Sequence, residues 1–428
     1  MRAFLPFLCI LFAVSAPLSS ASAQRKKKQK PCTVCQNNPK LYEKLGINHG
    51  PFVFGQSNST QLEEELVWKG YWLETPHFRI ALDLDKWKIP ITERKAYRKE
   101  LGELKKKYPK VKDKTASLDP WYRIHLFGER AEALYETFLQ QTGRQQEEFD
   151  TLPPEEIFKK AFENDFEIVL QDYDRKHERA AIFPGWLGLG RYLGQPMKFE
   201  LMLSQTEGLF LEYKKMYTGI TQPRPQKWNN KIETVTKEGL AQLRTRSLWF
   251  GISADAEEIK HDQHMHNAIL HNLAINLMDG YMLYLYDMPI WLSEGYAHYT
   301  RRKNTPDWSF YDAGEGSSGP DKDARDWAPL VRKYVKREKV PPLTNLIRLN
   351  DYVDLDFEAH LSSWSLVDFL FAQGDGKFGL FLTQLSVQPN GAGSADAQRD
   401  AFKEVFGWTI RQVEENWKAW ILETYSTQ

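Results

Sequence analysis

HNLAINLMDGYMLYLYDMPIWLSEGYAHY, His271 to Tyr299, has to be read from both ends at once. Its first five residues, His271-Asn272-Leu273-Ala274-Ile275, put positions 271 and 275 one helical turn apart on a common face. At the other end, Pro289-Ile290-Trp291-Leu292 runs into Ser293-Glu294-Gly295-Tyr296-Ala297-His298-Tyr299. Ser293 is a good N-cap, so Glu294 is expected in the first turn of a second helix, with His298 four residues on and on the same face. Four of the ten histidines fall between His261 and His271. His261 and His264 make a local pair, whereas His264 and His271 lie two turns, about 10 Å, apart. The cluster is expected to be a polar, partly exposed helix start rather than an independent metal site.

The rest of the chain sets the context. Met1 to Ala23 carries Arg2, an apolar run from Phe4 to Val14, and Ala21-Ser22-Ala23. Those are the three parts of a secretory signal, and the run is too short to span a bilayer comfortably. The mature protein is therefore expected to be secreted or periplasmic, without a transmembrane anchor. Cys9 would leave with the signal. Cys32 and Cys35 remain, in Pro-Cys-Thr-Val-Cys-Gln. This Cys-x-x-Cys lacks the second half of a zinc ribbon, and Gln36 stands where haem attachment needs histidine. A local structural disulfide is expected outside the cytoplasm. The 428 residues carry 57 acidic and 57 basic side chains, so no global charge argues for nucleic acid. Aromatic residues make up 13% of the chain, enough for a large core or an extended groove, but the tryptophans have no regular spacing that would favour a glycan-binding surface.

Residues 24–65 are polar and turn-rich and read as a tail or linker. Beyond them, His77–Asp83 and Tyr122–Phe127 alternate as strands should. Ile91–Lys107 and Ala131–Gln141 have helical spacing. Phe166–Leu170, Lys198–Leu203 and Ser247–Ile252 are further strand candidates, and the Gly-rich Pro184–Gly190 reads as a turn. It lacks the Lys-Ser/Thr ending of a phosphate loop. The last third is helical, at about 256–279, 293–303, 324–336, 361–373, 377–387 and 410–424. Helices gathered after a sheet predict an α+β fold. Residues 66–253 would form a sheet-bearing N-terminal lobe and residues 254–428 a mainly helical C-terminal lobe, with a cleft between them.

On these residues the chain resembles the gluzincin metallopeptidases, in particular the aminopeptidase-type and peptidase MA-like proteins. Their second motif is similar to Trp-Leu-x-Glu-Gly-x-Ala-x-Tyr, which stands here as Trp291 to Tyr299. Glu74 to Ile80 looks like the family's opening strand. Ser362-Ser363-Trp364-Ser365-Leu366 looks like its downstream Ser-Trp-x-Leu helix, and Ala401 to Trp408 with Trp417 is similar to its last helices. Order and spacing across most of residues 70–425 carry the resemblance.

The resemblance implies His271 as first zinc ligand and Glu294 as third. It puts Asn272 at the general base of His-Glu-x-x-His and Ile275 at the second histidine ligand. An amide cannot take a proton from water, and isoleucine offers no donor atom. Two ligands are too few for the usual zinc chemistry of three ligands and an open position. The expectation is an inactive peptidase-like protein without a cofactor, binding peptide or protein in a cleft that includes Ile275 and Tyr299. The alternative is an active zinc peptidase on His271, Glu294 and His298, with Glu257 or Glu258 as base. His360 stands where an oxyanion-stabilising group is placed in an active relative, or serves as an ordinary hydrogen-bonding histidine.

Overall fold

The computed structural model describes residues 31–426 except 56, 67–69, 150–190, 196, 219–225, 233–244, 255–260, 282–287, 309–325, 375 and 387–393. The signal-like segment, Phe166–Leu170, Pro184–Gly190, Glu257 and Glu258 lie outside the described residues. Strands β1 (Val53–Phe54) and β2 (Ser57–Asn58) pair with each other. Strands β3 (Tyr71–Glu74) and β4 (Phe78–Asp83) open the main sheet, and β5 (Trp87–Lys88) pairs with β6 (Ser117–Leu118). Strands β7 (Phe199–Ser204), β8 (Gln226–Ile232) and β9 (Thr245–Ser253) complete the main sheet in the order β3-β4-β7-β9-β8. Its three central strands are parallel, and both edge strands run antiparallel to their neighbours.

Period-two alternation distributes the sheet's side chains between two cores. Leu73, Ile80, Leu82, Leu201, Leu203, Leu248 and Phe250 enter the main core. Trp72, Ala81, Met202 and Trp249 point into a second, smaller one, closed by Phe52, Phe54, Leu62, Phe210 and Tyr213. The segment expected to be a tail is thus part of the fold. It contains α1 (Pro39–Leu45) and α2 (Ser59–Glu65), pairs Asn48 with Glu74, and is pinned where the Gly55 N–H donates to buried Glu200 at 3.0 Å. Its polar composition hides few but well-placed apolar residues.

The helices that follow are α3 (Arg94–Lys107), α4 (Pro120–Thr142), α5 (Glu207–Thr218), α6 (Asp262–Gly280) and α7 (Ile290–Asn304). After them come α8 (Ala328–Lys336), α9 (Leu343–Leu346), α10 (Phe357–Ala372), α11 (Lys377–Ser386), α12 (Ala395–Phe406) and α13 (Ile410–Thr424). An α+β protein with a mixed sheet and a mostly helical C-terminal part is what this order amounts to. Tyr122–Phe127, expected as a strand, is the first part of α4. Asp119 caps that helix by accepting from the Tyr122 N–H at 3.0 Å, and Pro120 fits its first turn. The alternation misled because its polar members are buried too, every residue from Trp121 to Gly128 being inside. Arg123 pairs with Asp262 at 3.4 Å, and His125 faces the two cysteines. The second helix of the opening stretch also starts earlier than expected. Pro289, not Ser293, precedes its first turn, because Trp291 and Leu292 are fully buried and extend the helix backwards.

Candidate functional site

Helices α6, α7 and α10 bring together the residues singled out from the sequence. His271 comes from α6, Glu294 and His298 from α7, and His360 from α10, where Asp356 caps the first turn through the Ala359 N–H at 2.8 Å. All four are buried. The His271 Nε2 lies 3.2 Å from a Glu294 carboxylate oxygen. His298 Nε2 lies 3.0 Å from His360 Nδ1, and the His271 and His298 rings meet edge to face at 5.1 Å. Gly295 permits this convergence, since a Cβ there would fall 2.4 Å from the Ser363 carbonyl oxygen of α10.

The donor set invites a metal, because Glu294, His298 and His360 offer ligand atoms within 4.8 Å of one another. Proton placement argues against it. The Arg301 guanidinium, which can only donate, sits 3.0 Å from His298 Nδ1. Nδ1 must therefore accept, so Nε2 of the neutral ring carries the proton and donates to His360. A metal on Nε2 would move that proton to Nδ1, where it would face the guanidinium donor. Burial, then the Arg301 charge and the neighbouring His360 and His271, hold His298 well below the ordinary histidine range, so the ring stays neutral. Trp327 closes this corner at 4.9 Å from His298, with the Arg302 guanidinium over its ring.

Asn272 and Ile275, which the resemblance aligns with the general base and the second ligand, are both engaged within the fold. The Asn272 amide donates to the Ala268 carbonyl of its own helix at 2.9 Å. Ile275 packs in the main core, and Tyr299 is half-buried against Phe371 at 4.8 Å. No residue at these positions takes up the role of second ligand or general base. With Nδ1 of His298 facing Arg301, the group does not fit catalytic zinc. His261 and His264 are ring neighbours as expected, at 5.6 Å. His261 caps α6 and bonds Glu93 at 2.9 Å.

A second cluster shares no residue with that of Glu294, His298 and His360. Cys32 and Cys35 are separate thiols rather than the expected disulfide. A tight turn, with Gln36 and Asn37 in the left-handed region, directs both sulfurs toward α4. There they meet two histidines that sequence reasoning did not connect with them, His49 and His125. Cys32 Sγ is 3.3 Å from His125 Nε2, Cys35 Sγ is 3.7 Å from His49 Nε2, and the two Nε2 atoms are 3.3 Å apart. Burial pushes the Cys32 thiol up. The hydrogen bond from Cys32 outweighs burial at Cys35 and, with His125 and His49, holds that thiol far below its usual range. The legible signal was spacing, for thirteen residues separate Cys35 from His49 in a Cys-x2-Cys-x13-His pattern.

No helix among the described residues is long and apolar enough to cross a membrane. No protein-family profile, no curated protein and no solved structure matches this chain.

Proposed function

We propose that this is an exported, gluzincin-like protein that has lost peptidase chemistry and binds extended peptide or protein segments. One observation carries the reading. Of the groups that hydrolysis would need, Ile275 offers no donor, Asn272 is bonded back to its own helix, and His298 is committed at both nitrogens. Binding would use strand β8, which stands at the edge of the main sheet and, among the described residues, pairs with β9 alone. An edge strand recruits an extended chain through main-chain hydrogen bonds, without any catalytic group.

The competing reading, a zinc peptidase on His271, Glu294 and His298, draws on their closeness, with His271 Nε2 3.2 Å from Glu294 and the His271 and His298 rings 5.1 Å apart. Measuring zinc in the purified wild-type protein beside His271→Ala and Glu294→Gln variants separates the two. The binding reading expects the same zinc content in all three and no cleavage of a peptide library with zinc added. A zinc equivalent lost in both variants, together with wild-type cleavage, would sink it. Binding itself is tested with immobilised unstructured peptides and N-methylated copies of them. Strand addition predicts that methylating alternate backbone nitrogens abolishes capture.

A further inference from the structure

We propose that Cys32, Cys35, His49 and His125 form a closed, structural zinc site that fastens the N-terminal segment to helix α4. The spacings between donor atoms match those of a tetrahedral zinc centre. Zinc–nitrogen bonds of about 2.0–2.1 Å and zinc–sulfur bonds of about 2.3 Å, at tetrahedral angles, put two nitrogens about 3.3 Å apart and a sulfur and nitrogen about 3.6 Å apart. Here the two Nε2 atoms are 3.3 Å apart, and the sulfur–nitrogen distances are 3.3 and 3.7 Å. All four ligand atoms lie within 4.8 Å of one another.

Hydrogen bonding alone explains this poorly. The His125 Nε2 faces both Cys32 Sγ and His49 Nε2, yet one N–H can serve only one of them well. Four soft or borderline donors aimed at a common point are the ligand set of a Cys2His2 zinc centre.

The surroundings support the thiolates and His49. The Cys35 N–H donates to Cys32 Sγ at 3.3 Å, which would stabilise a bound thiolate. Tyr42 Oη lies 3.0 Å from His49 Nδ1 and accepts its proton when Nε2 is a ligand. His49 stacks on Trp121 at 4.6 Å, and the Thr33 hydroxyl donates to Asp119, the cap of α4. Cys32, Cys35 and His125 are buried and His49 is half-buried, so the four protein ligands leave no open position and the role is structural. The site joins a turn at residue 32 to a helix more than ninety residues on, where loop closure is otherwise costly. Its ligands share nothing with the His271 cluster, so the two readings stand or fall separately.

The test is elemental analysis of the full protein purified without added metal, with intact-mass measurement under denaturing conditions. The expected result is one zinc per chain, kept in His271→Ala and lost in Cys32→Ser and in the half-exposed variant His49→Ala. Cobalt(II) exchanged into the wild type should give the visible bands of a tetrahedral site with thiolate charge transfer. Tyr42→Phe should keep the site but weaken zinc binding about 10–100-fold. Should the ligand variants not fold, wild-type thiol alkylation decides. A strong chelator must accelerate it, and added zinc must restore protection. An intact mass lower by two hydrogens, marking a Cys32–Cys35 disulfide, overturns the proposal. So does alkylation that ignores the chelator.

Discussion

His298 shows how one proton decides between a ligand and a core histidine. Arg301 fixes the acceptor nitrogen, and the tautomer follows without further assumption. If the surrounding helices keep a gluzincin arrangement, the lost chemistry lies at two positions and can be put back there. The double substitution Asn272→Glu and Ile275→His would supply a base and a ligand one turn from His271, which already faces Glu294. That variant is expected to bind one zinc more than the wild type by elemental analysis, independently of His298. An unchanged metal content would count against the gluzincin resemblance itself. Gly295 gives a second prediction. Gly295→Ala would drive a methyl onto the Ser363 carbonyl, and backbone cannot swing aside as a long side chain can. Overpacking of this kind costs about 1–3 kcal/mol, to be read as a lower denaturation midpoint with an unchanged denaturant slope. At this scale the sequence pointed to His271, Glu294, His298 and His360, which do converge. It missed His125, since nothing local links that residue to cysteines in another part of the chain.

The elements were legible wherever one face meets water or one pattern dominates. β4, β7, β9 and most of the C-terminal helices fall close to the expected spans. Reading failed for α4, whose buried polar residues imitate strand alternation, and for β8, whose polar QKWNNKI gives no hydrophobic signal. The same buried polar residues tie the elements together. Asp262, at the start of α6, accepts from the Tyr97 hydroxyl of α3 at 2.6 Å and pairs with Arg130 and Arg123 of α4 at 3.1 and 3.4 Å. Burial by itself would raise its carboxyl pKa, but Arg130, Arg123 and Tyr97 prevail and hold it below the ordinary range. A carboxylate depressed in the folded state adds stability that is complete above its unfolded pKa of about 3.9 and fades as pH falls toward the folded value. Asp262→Ala is therefore expected to lose about 3–5 kcal/mol at neutral pH, since it leaves the buried Arg123 guanidinium without a carboxylate and takes from Arg130 one of its two, Glu100 at 2.7 Å remaining. The difference from wild type should shrink below about pH 4, and urea titrations at pH 7 and pH 3.5 would show it. A difference that stays constant with pH would mean that packing, not charge, holds α6 to α3 and α4.

The described residues on both sides of the boundary expected at 253 and 254 share one apolar core. A single apolar cluster runs from Cys32 and Leu73, through Leu201 and Phe250 of the sheet, to Leu273 and Leu277 of α6 and on to Trp417 and Tyr425. α4 belongs to both halves, packing on β3 and β4 at one side and meeting α6 and α11 at the other. Its end approaches α11 so closely that a Cβ on Gly379 would overlap the Thr142 carbonyl. α6 gives Met265, Ile269, Leu270, Leu273, Leu277 and Met278 to the shared core. At about 1.5–3 kcal/mol for each fully buried side chain, uncovering even half of that area costs roughly 5 kcal/mol or more. That is as large as the whole net stability of many domains, about 5–15 kcal/mol. Chains cut between 253 and 254 are accordingly expected not to fold as separate halves, whereas the uncut protein should unfold in one step. Far-UV circular dichroism and tryptophan fluorescence followed through the same denaturant series would then give coincident curves. The tryptophans make the test sensitive, because Trp249 lies in the core beyond the sheet while Trp291, Trp327 and Trp417 lie among the helices. Two separated transitions, or a folded fragment of residues 254–428, would restore the two-lobe division and place a true boundary at the start of α6.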